Sequence, residues 1–291
     1  MTRKTFRELL KQDGPLVMPG AHDGLSARMI GNAGFDSYFI GGFPTVGARY
    51  GVPDIGLKSL GEISAAVRDI MSACDLPVFV DADDGYGDVK NVVHTLHTYE
   101  RMGVQAIMFE DQRWPKRCGH MDGKSVVPVE EMESKVRAAS SERINPQTFI
   151  FARTDARAVN GLDDALRRAE RYIRAGADGI FVEAPQNVKE LEILGRAFDV
   201  PQIANPLEGG KTPILAPEEL YRLGFKVIPY GLYLIMRVAK TMQQGLEDLR
   251  TRKFSMRFED TALSFAQYLS AVGIDDWRAV EARAAANDER A

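Results

Sequence analysis

The sequence predicts an α/β fold, a (β/α)8 barrel followed by additional C-terminal helices. Three observations carry that expectation. Short, near-continuously apolar runs alternate with longer amphipathic patterns eight times along the 291 residues. Continuous apolar runs are what parallel strands covered on both faces require, and strict βα alternation favours closure into a barrel. The helical patterns end in a recurring glycine signal, Ala33-Gly34-Phe35, Met102-Gly103-Val104, Ala175-Gly176-Ala177 and Leu223-Gly224-Phe225, where the glycine caps the helix and the next residue turns the chain back. Finally, the apolar runs end one after another in charged or amide side chains. An open doubly wound sheet is the competing arrangement, but no Gly-x-Gly-x-x-Gly follows the first run, which weakens its dinucleotide-binding form.

In chain order the expected strands are 16–21, 37–42, 77–83, 106–111, 149–155, 179–184, 201–205 and 226–230. Between them, apolar side chains recur at three- and four-residue spacing, as one helical face demands. Leu60, Ile63, Val67, Ile70 and Met71 form one such stripe; Val89, Val92, Val93, Leu96 and Tyr99 another; Leu162, Ala165, Leu166, Ala169 and Ile173 a third. Pro217 followed by Glu218 and Glu219 is a helix start. Beyond the eighth strand, helices are expected over 238–249 and 258–272 and from Trp277 onward, separated by a charged break at 250–253. The catalytic barrel is therefore placed at 1–245 and a helical extension at 246–291. One helix suffices to finish a barrel, so Phe254, Phe258, Leu263, Phe265, Tyr268 and Leu269 need another surface to bury against, and a subunit interface is expected.

Composition excludes several functions. A net charge of −4 gives no electrostatic case for nucleic acid or an anionic membrane. No apolar run reaches the ~18 residues of a bilayer span, and the start of the chain has no apolar signal core. Two cysteines, Cys74 and Cys118, are too few for a disulfide framework and suit a reducing compartment, so the expected location is cytoplasmic.

The candidate chemistry lies at the carboxyl ends of the strands, where barrels of this kind carry their active sites. Asp81 and Asp83 are two apart on a strand, face one side, and together with Glu110 suit one hard cation. An oxygen-only set favours magnesium, with manganese possible, over zinc; as the alternative, Asp84-Gly85 is a polar turn whose aspartates cap the next helix. Arg153 suits bidentate capture of a substrate carboxylate, or a buried ion pair with Glu110 or Glu183. Lys116-Arg117-Cys118-Gly119-His120 sets a thiol among cations, which lowers a cysteine pKa and makes a thiolate accessible; an inert packed thiol is the alternative.

Taken together, Asp81-Ala-Asp-Asp-Gly-Tyr-Gly87, Glu110-Asp111-Gln112, the Lys116-to-His120 run, Ala152-Arg153-Thr154-Asp155 and Glu183-Ala184 resemble the isocitrate lyase/phosphoenolpyruvate mutase superfamily, from about Gly20 to Tyr230. The cysteine motif resembles its lyase branch: isocitrate, 2-methylisocitrate and dimethylmalate lyases and oxaloacetate hydrolase. The resemblance implies a magnesium ion near Asp81 and Asp83, with Asp54 and Glu110 supporting it through water. It implies Cys118 as proton donor on a gating loop, with Lys116, His120 and Tyr38 also in catalytic positions. Gly41, Gly42 and Arg153 would hold the pyruvate-like moiety, and Gly119, His120, Glu183 and Asn205 would line the rest. A homotetramer with C-terminal helices exchanged between barrels is implied as well.

There are departures from the 2-methylisocitrate lyase pattern. Ile40 replaces a serine before the glycine pair, Pro206-Leu207 replaces a Met-Thr pair, and only Arg237 matches a distal carboxylate-binding arginine. These changes point to a smaller, more apolar substrate than a tricarboxylate, a 2-alkylmalate such as 2,3-dimethylmalate, with Ile40 and Leu207 across the pocket choosing it. 2-Methylisocitrate lyase and oxaloacetate hydrolase are the alternatives within the fold, and a non-catalytic barrel the alternative outside it.

Overall fold

The computed structural model describes residues 3–251 and 261–288. Among the described residues seven strands occur: β1 (Leu16–Pro19), β2 (Tyr38–Ile40), β3 (Val78–Asp81), β4 (Ala106–Glu110), β5 (Phe149–Thr154), β6 (Gly179–Val182) and β7 (Val227–Tyr230). The helices are α1 (Phe6–Leu10), α2 (Gly24–Asn32), α3 (Gly42–Tyr50), α4 (Leu60–Met71), α5 (Val89–Met102), α6 (Val129–Glu142), α7 (Ala156–Asn160), α8 (Leu162–Arg174), α9 (Val188–Gly195), α10 (Pro217–Leu223), α11 (Tyr233–Thr251), α12 (Phe265–Ala271) and α13 (Ile274–Asp288).

All strand pairs are parallel, β2 through β6 in sequence order and β1 beside β7. Single bridges close the ring. Gly20 pairs with Phe39 between β1 and β2, while Gln202 pairs with Ile180 and Ile203 with Val227. The expected seventh strand at 201–205 is thus reduced to a two-residue rung, although Ile203 and Ala204 donate to Ile180 and Val227 on opposite sides. Its flanking prolines, Pro201 and Pro206, have no N–H to add to the ladder and leave little chain between them. The closed (β/α)8 barrel stands, with seven strands and one rung.

Closure separates the apolar side chains into two cores. The outer face of the sheet packs against the helical stripes, with Val67, Ile70, Leu96, Tyr99, Val136, Ala169 and Tyr172 fully enclosed there. The inner face forms a second core of Leu16, Met18, Phe39, Phe79, Ala106, Met108, Phe149, Phe151, Phe181, Ile203 and Val227. Alternation on each strand assigns these rows, since side chains two apart share a face. The amino-terminal end is plugged by α1, whose Thr5–Glu8 capping box starts a short helix in a stretch that the sequence shows only as polar and amphipathic. Phe6 is fully buried and meets Phe79, Phe149 and Phe151 with ring centroids 6.1, 5.8 and 6.2 Å away. The glycine caps occur as expected: Gly103 and Gly224 end α5 and α10 at φ of 90° and 119°, a region that favours glycine.

The chain divides into compact units at Met236/Arg237, inside α11, where the sequence places the boundary at 245. In the second unit, α11 contains the expected helix 238–249, and α12 and α13 follow; Phe254 and Phe258 lie outside the described residues. Along its 19 residues α11 buries none, leaving Met242, Leu246 and Leu249 more than half exposed. Phe265 on α12 is 79 % exposed and Trp277 on α13 is 68 % exposed.

Replacing Phe6 by alanine removes the plug of the inner core, and we expect a loss of about 3–5 kcal/mol. Urea unfolding checks this, with a lowered midpoint and an unchanged slope as the expected result.

Candidate active site

The polar site continues the inner rows of the barrel by two-residue steps. Phe79 leads to Asp81 and Asp83, Met108 to Glu110 and Gln112, Phe151 to Arg153 and Asp155, Phe181 to Glu183, and Ile203 to Asn205 and Leu207. At that level a small cavity of about 70 Å³ opens, floored by Phe39, Phe79, Met108, Phe181 and Ile203. Its walls include Gly41, Gly42, Asp54, Asp81, Lys116, Cys118, Gly119, His120, Arg153, Glu183, Asn205 and Leu207, all residues that the sequence singles out. Phe43, Pro44 and Leu232 also line it. Two residues near this level, Asp83 and Ala184, have φ of 48° and 57°. Such backbone is costly for residues with a side chain and concentrates at functional sites.

Two expectations at β2 are corrected. Phe39 and Gly41 take the inner row, so Tyr38 and Ile40 face outward into the helix layer. The Tyr38 hydroxyl donates to the Cys74 carbonyl at 3.2 Å, and burial holds its pKa well above the ordinary tyrosine value. Neither Tyr38 nor Ile40 lines the cavity. Arg237 lies on α11 in the second unit.

Lys116 is the charge centre on one side. Its ammonium is 2.6 Å from Asp54 Oδ1 and 2.6 Å from Asp83 Oδ1, with all three side chains buried. Burial pushes the Asp83 carboxyl up to about 7 against the pull of Lys116, with Asp81 and Asp54 pushing the same way. For Lys116 burial works downward, but the attraction of Asp83, Asp54, Glu110 and Asp81 prevails and holds its pKa well above the ordinary value. Gly42 fits close by, since a Cβ there would stand 3.3 Å from Lys116 Nζ. Gly41 and Gly42 begin α3 with no side chain satisfying the first amides, which leaves a helix N-terminus on the cavity wall that suits an anion.

On the other side, Arg153 sits among three carboxylates. It donates to both oxygens of Asp155 at 2.9 and 3.1 Å and lies 3.3 Å from Glu110 Oε2 and 3.3 Å from Glu183 Oε2. The two readings of Arg153, anion clamp and buried ion pair, therefore meet in one residue: it is paired, and it lines the cavity. Burial raises the Glu110 carboxyl well above the usual range, only partly countered by Arg153. Asp155 is also buried, but Arg153 and Lys124 overcome burial and lower it to about 2.

Among the described residues no three His, Cys, Asp or Glu groups converge as a complete metal shell. Asp81 accepts from the Asp83 amide at 3.0 Å, and one oxygen of Glu110 is buried without a hydrogen-bond partner. A hard cation that keeps most of its water and takes few carboxylates directly fits this all-oxygen set. Zinc, which favours nitrogen and sulfur, fits it less well.

The segment 116–124 roofs the cavity. Gln112 clamps its start, accepting from Arg117 N at 3.0 Å and donating to Arg117 O at 2.8 Å. Gly119 lies directly on the clamp: a Cβ there would stand 2.5 Å from Arg153 Nη2 and from Glu183 Cγ, so close approach dictates glycine. His120 Nδ1 accepts from the Lys211 amide at 3.1 Å, and its Nε2 is 3.4 Å from Glu183 Oε1. Lys124, on which the sequence gives no signal, places its ammonium 2.9 Å from Asp155 Oδ1 and on the Gly119 carbonyl. Gln112 and Asp155 were legible, since each extends an inner row by one step.

The expected activation of Cys118 by Lys116 and Arg117 is corrected. Lys116 is engaged by Asp54 and Asp83, and Arg117 points outward with its guanidinium on the Asp122 carbonyl. Burial raises the Cys118 pKa, and the backbone of His120 only partly opposes this. Burial thus favours the thiol over the thiolate.

Below the site, Asp111 is a fully buried anchor. It accepts from Thr154 Oγ1 at 2.7 Å, Asp155 N at 2.9 Å, Tyr172 OH at 2.8 Å and Arg168 Nη1 at 3.2 Å.

Residues 6–250 match the family model described as phosphoenolpyruvate phosphomutase. The chain belongs to the isocitrate lyase/phosphoenolpyruvate mutase superfamily. It is 39% identical over 280 residues to 2,3-dimethylmalate lyase of Eubacterium barkeri, covering 96% of this chain and 97% of the relative. It is 39% identical over 261 residues to 2-methylisocitrate lyase of Halalkalibacterium halodurans, covering 85% and 86%. An oxaloacetate acetylhydrolase structure, in complex with 3,3-difluorooxalacetate, superposes with a TM-score of 0.91 at 28% identity over 97% of each chain. With this fold and these relatives, the chain is a carbon–carbon lyase. Among the described residues no helix is long and apolar enough to cross a membrane.

Two outcomes follow from this geometry. Alkylation of Cys118 requires its thiolate, so its rate should rise with pH through a midpoint above the roughly 8.5 of a free cysteine; iodoacetamide labelling read by mass spectrometry across pH measures it. Asp111→Ala leaves Thr154 Oγ1, the Asp155 amide and Tyr172 OH without their buried acceptor and Arg168 with the Asp164 carboxylate alone, and should cost about 3–5 kcal/mol in urea unfolding.

Proposed function

We propose that the enzyme is a magnesium-dependent lyase that splits a substituted 2-hydroxydicarboxylate, a 2-alkylmalate such as 2,3-dimethylmalate, into pyruvate and a short carboxylate. The observation that carries this reading is the cavity lining. Cys118 and Arg153 face a space whose other walls include Phe43, Pro44, Leu207 and Leu232. The cations facing it are Lys116 and Arg153, since Arg117 turns its guanidinium outward, and Lys116 is already matched by Asp54 and Asp83. A dicarboxylate with an alkyl branch suits such a lining better than a tricarboxylate, whose third carboxylate would be left against apolar side chains.

In this reading Arg153 and the amides at the start of α3 hold the pyruvate-like end. Asp81, with Asp83, Asp54 and Glu110 reached through water, would hold magnesium or manganese, which stabilises the negative charge developing on the substrate oxygen. The C2 hydroxyl gives its proton to the Glu183 carboxylate on the cavity wall and becomes a carbonyl as the C2–C3 bond breaks, and the electron pair of that bond passes to C3; the proton taken by Glu183 returns to the Cys118 thiolate once the products leave. The Cys118 thiol, held protonated by burial, gives its proton to C3 and completes the short carboxylate. His120, Glu183 and Asn205 bound the same space, and Gly119 lets the roof descend onto Arg153. Excluding water protects the carbanion-like species from side reactions.

Oxaloacetate hydrolysis is the second reading, favoured by the likeness to the acetylhydrolase structure. Leu207 opposes it, because an apolar side chain offers no partner to a hydrated ketone. We further propose a homotetramer in the cytoplasm, in which a second copy covers the unburied α11.

Pyruvate release from 2,3-dimethylmalate should exceed that from 2-methylisocitrate by at least about tenfold in kcat/KM, an effect on the order of 1.4 kcal/mol; the reverse preference sinks the substrate assignment. Cys118→Ser should lower kcat by roughly 10²–10⁴ with substrate still bound, and full activity in that variant removes Cys118 from the mechanism. EDTA should abolish turnover and added magnesium restore it. Light scattering should give four times the chain mass, with a monomer at micromolar concentration as the contrary result.

A further inference from the structure

Lys124 is a buried ammonium on the roof of the cavity, six positions after Cys118, with a side chain only 2 % exposed. A buried ammonium is costly unless paired and hydrogen-bonded. Its two partners come from different parts of the site. One is the Gly119 carbonyl in the roof itself; the other is Asp155 Oδ1, 2.9 Å away at the top of β5. Asp155 is fixed from below, its amide donating to Asp111 Oδ1 at 2.9 Å, and its carboxylate holds Arg153 through two hydrogen bonds. The chain of contacts therefore runs from the cysteine segment through Lys124 and Asp155 to Arg153.

The charges give this chain a consequence. Arg153 is shared by Asp155, Glu110 and Glu183. With Lys124 in place, Asp155 has a second cation and Arg153 keeps attraction to spare for an incoming carboxylate. Were the roof to lift, Lys124 would leave with it, and Asp155, Glu110 and Glu183 would share the one guanidinium. We propose that Lys124 is a positioning residue that makes closure of the Cys118 segment and preparation of Arg153 for a substrate carboxylate a single event, acting through Asp155. The inference rests on the reading of residues 116–124 as a movable roof over an anion site.

The test uses the full-length enzyme without ligand and then with substrate. Cys74 lies outside the cavity and serves as an internal control for general unfolding. In Lys124→Met, iodoacetamide should label Cys118 about tenfold faster than in the wild type, while Cys74 labelling and the thermal midpoint stay unchanged. Lys124→Arg should restore slow labelling. Equal Cys118 labelling in wild type and Lys124→Met overturns the latch whatever the substrate proves to be. Faster labelling of both cysteines means that Lys124 is only structural, and overturns it too. With dimethylmalate, Lys124→Met should lower kcat by about 100-fold and raise KM, as expected when closure and orientation fail together. On an Asp155→Asn background the same substitution should add nothing, because the path through Asp155 is already cut. Additive effects overturn the proposed route. Turnover of another malate derivative, with the latch results intact, would revise the substrate assignment and leave the role of Lys124 standing.

Discussion

The barrel interior is the constraint on which everything else depends. A closed ring of parallel strands has a single inner space, and this sequence fills its lower part with aromatic and aliphatic side chains and its upper part with charges. The change happens at one level on four consecutive strands, β3 to β6, from Phe79 to Asp81, Met108 to Glu110, Phe151 to Arg153 and Phe181 to Glu183. The apolar floor does more than stabilise the fold. It places ionisable groups where water is scarce, and each must then find a partner close by.

That scarcity of water organises the site into two neutralising clusters. One centres on Lys116 between Asp54 and Asp83, the other on Arg153 among Asp155, Glu110 and Glu183. Both include residues of the roofing segment, Lys116 at its start and Lys124 at its end. The roof is thus held at both ends by charge pairing to the barrel, and Cys118 is suspended between them. In the proposed mechanism the burial that would make a poor nucleophile of Cys118 suits it to act as an acid, because burial favours the proton on sulfur.

Much of this was legible in the sequence. Apolar runs located every strand, and the two-residue alternation marked the charged ends that line the cavity. What failed did so for identifiable reasons. The family resemblance places Tyr38 and Ile40 at the pocket, but the alternation through Phe39 and Gly41 puts them on the other face. Cys118 was read from its neighbours in sequence, whereas Lys116 points to Asp54 and Asp83 and Arg117 to the outside. Prolines on either side of 201–205 shortened a strand to a rung. Lys124 and the plug formed by Phe6 left no mark, because their roles depend on partners more than thirty and seventy residues away along the chain, Asp155 for one and Phe79 for the other.

The contact of His120 with the Lys211 amide carries a consequence for the charge state of the ring. A backbone N–H can only donate, so Nδ1 must be the bare nitrogen and the single ring proton sits on Nε2, toward Glu183. A second proton on this imidazole has nowhere to go while 206–212 rests against the roof. Burial lowers the His120 pKa in the same direction. With both ring nitrogens protonated His120 could no longer accept from the Lys211 amide, so this contact between two loops belongs to the neutral ring.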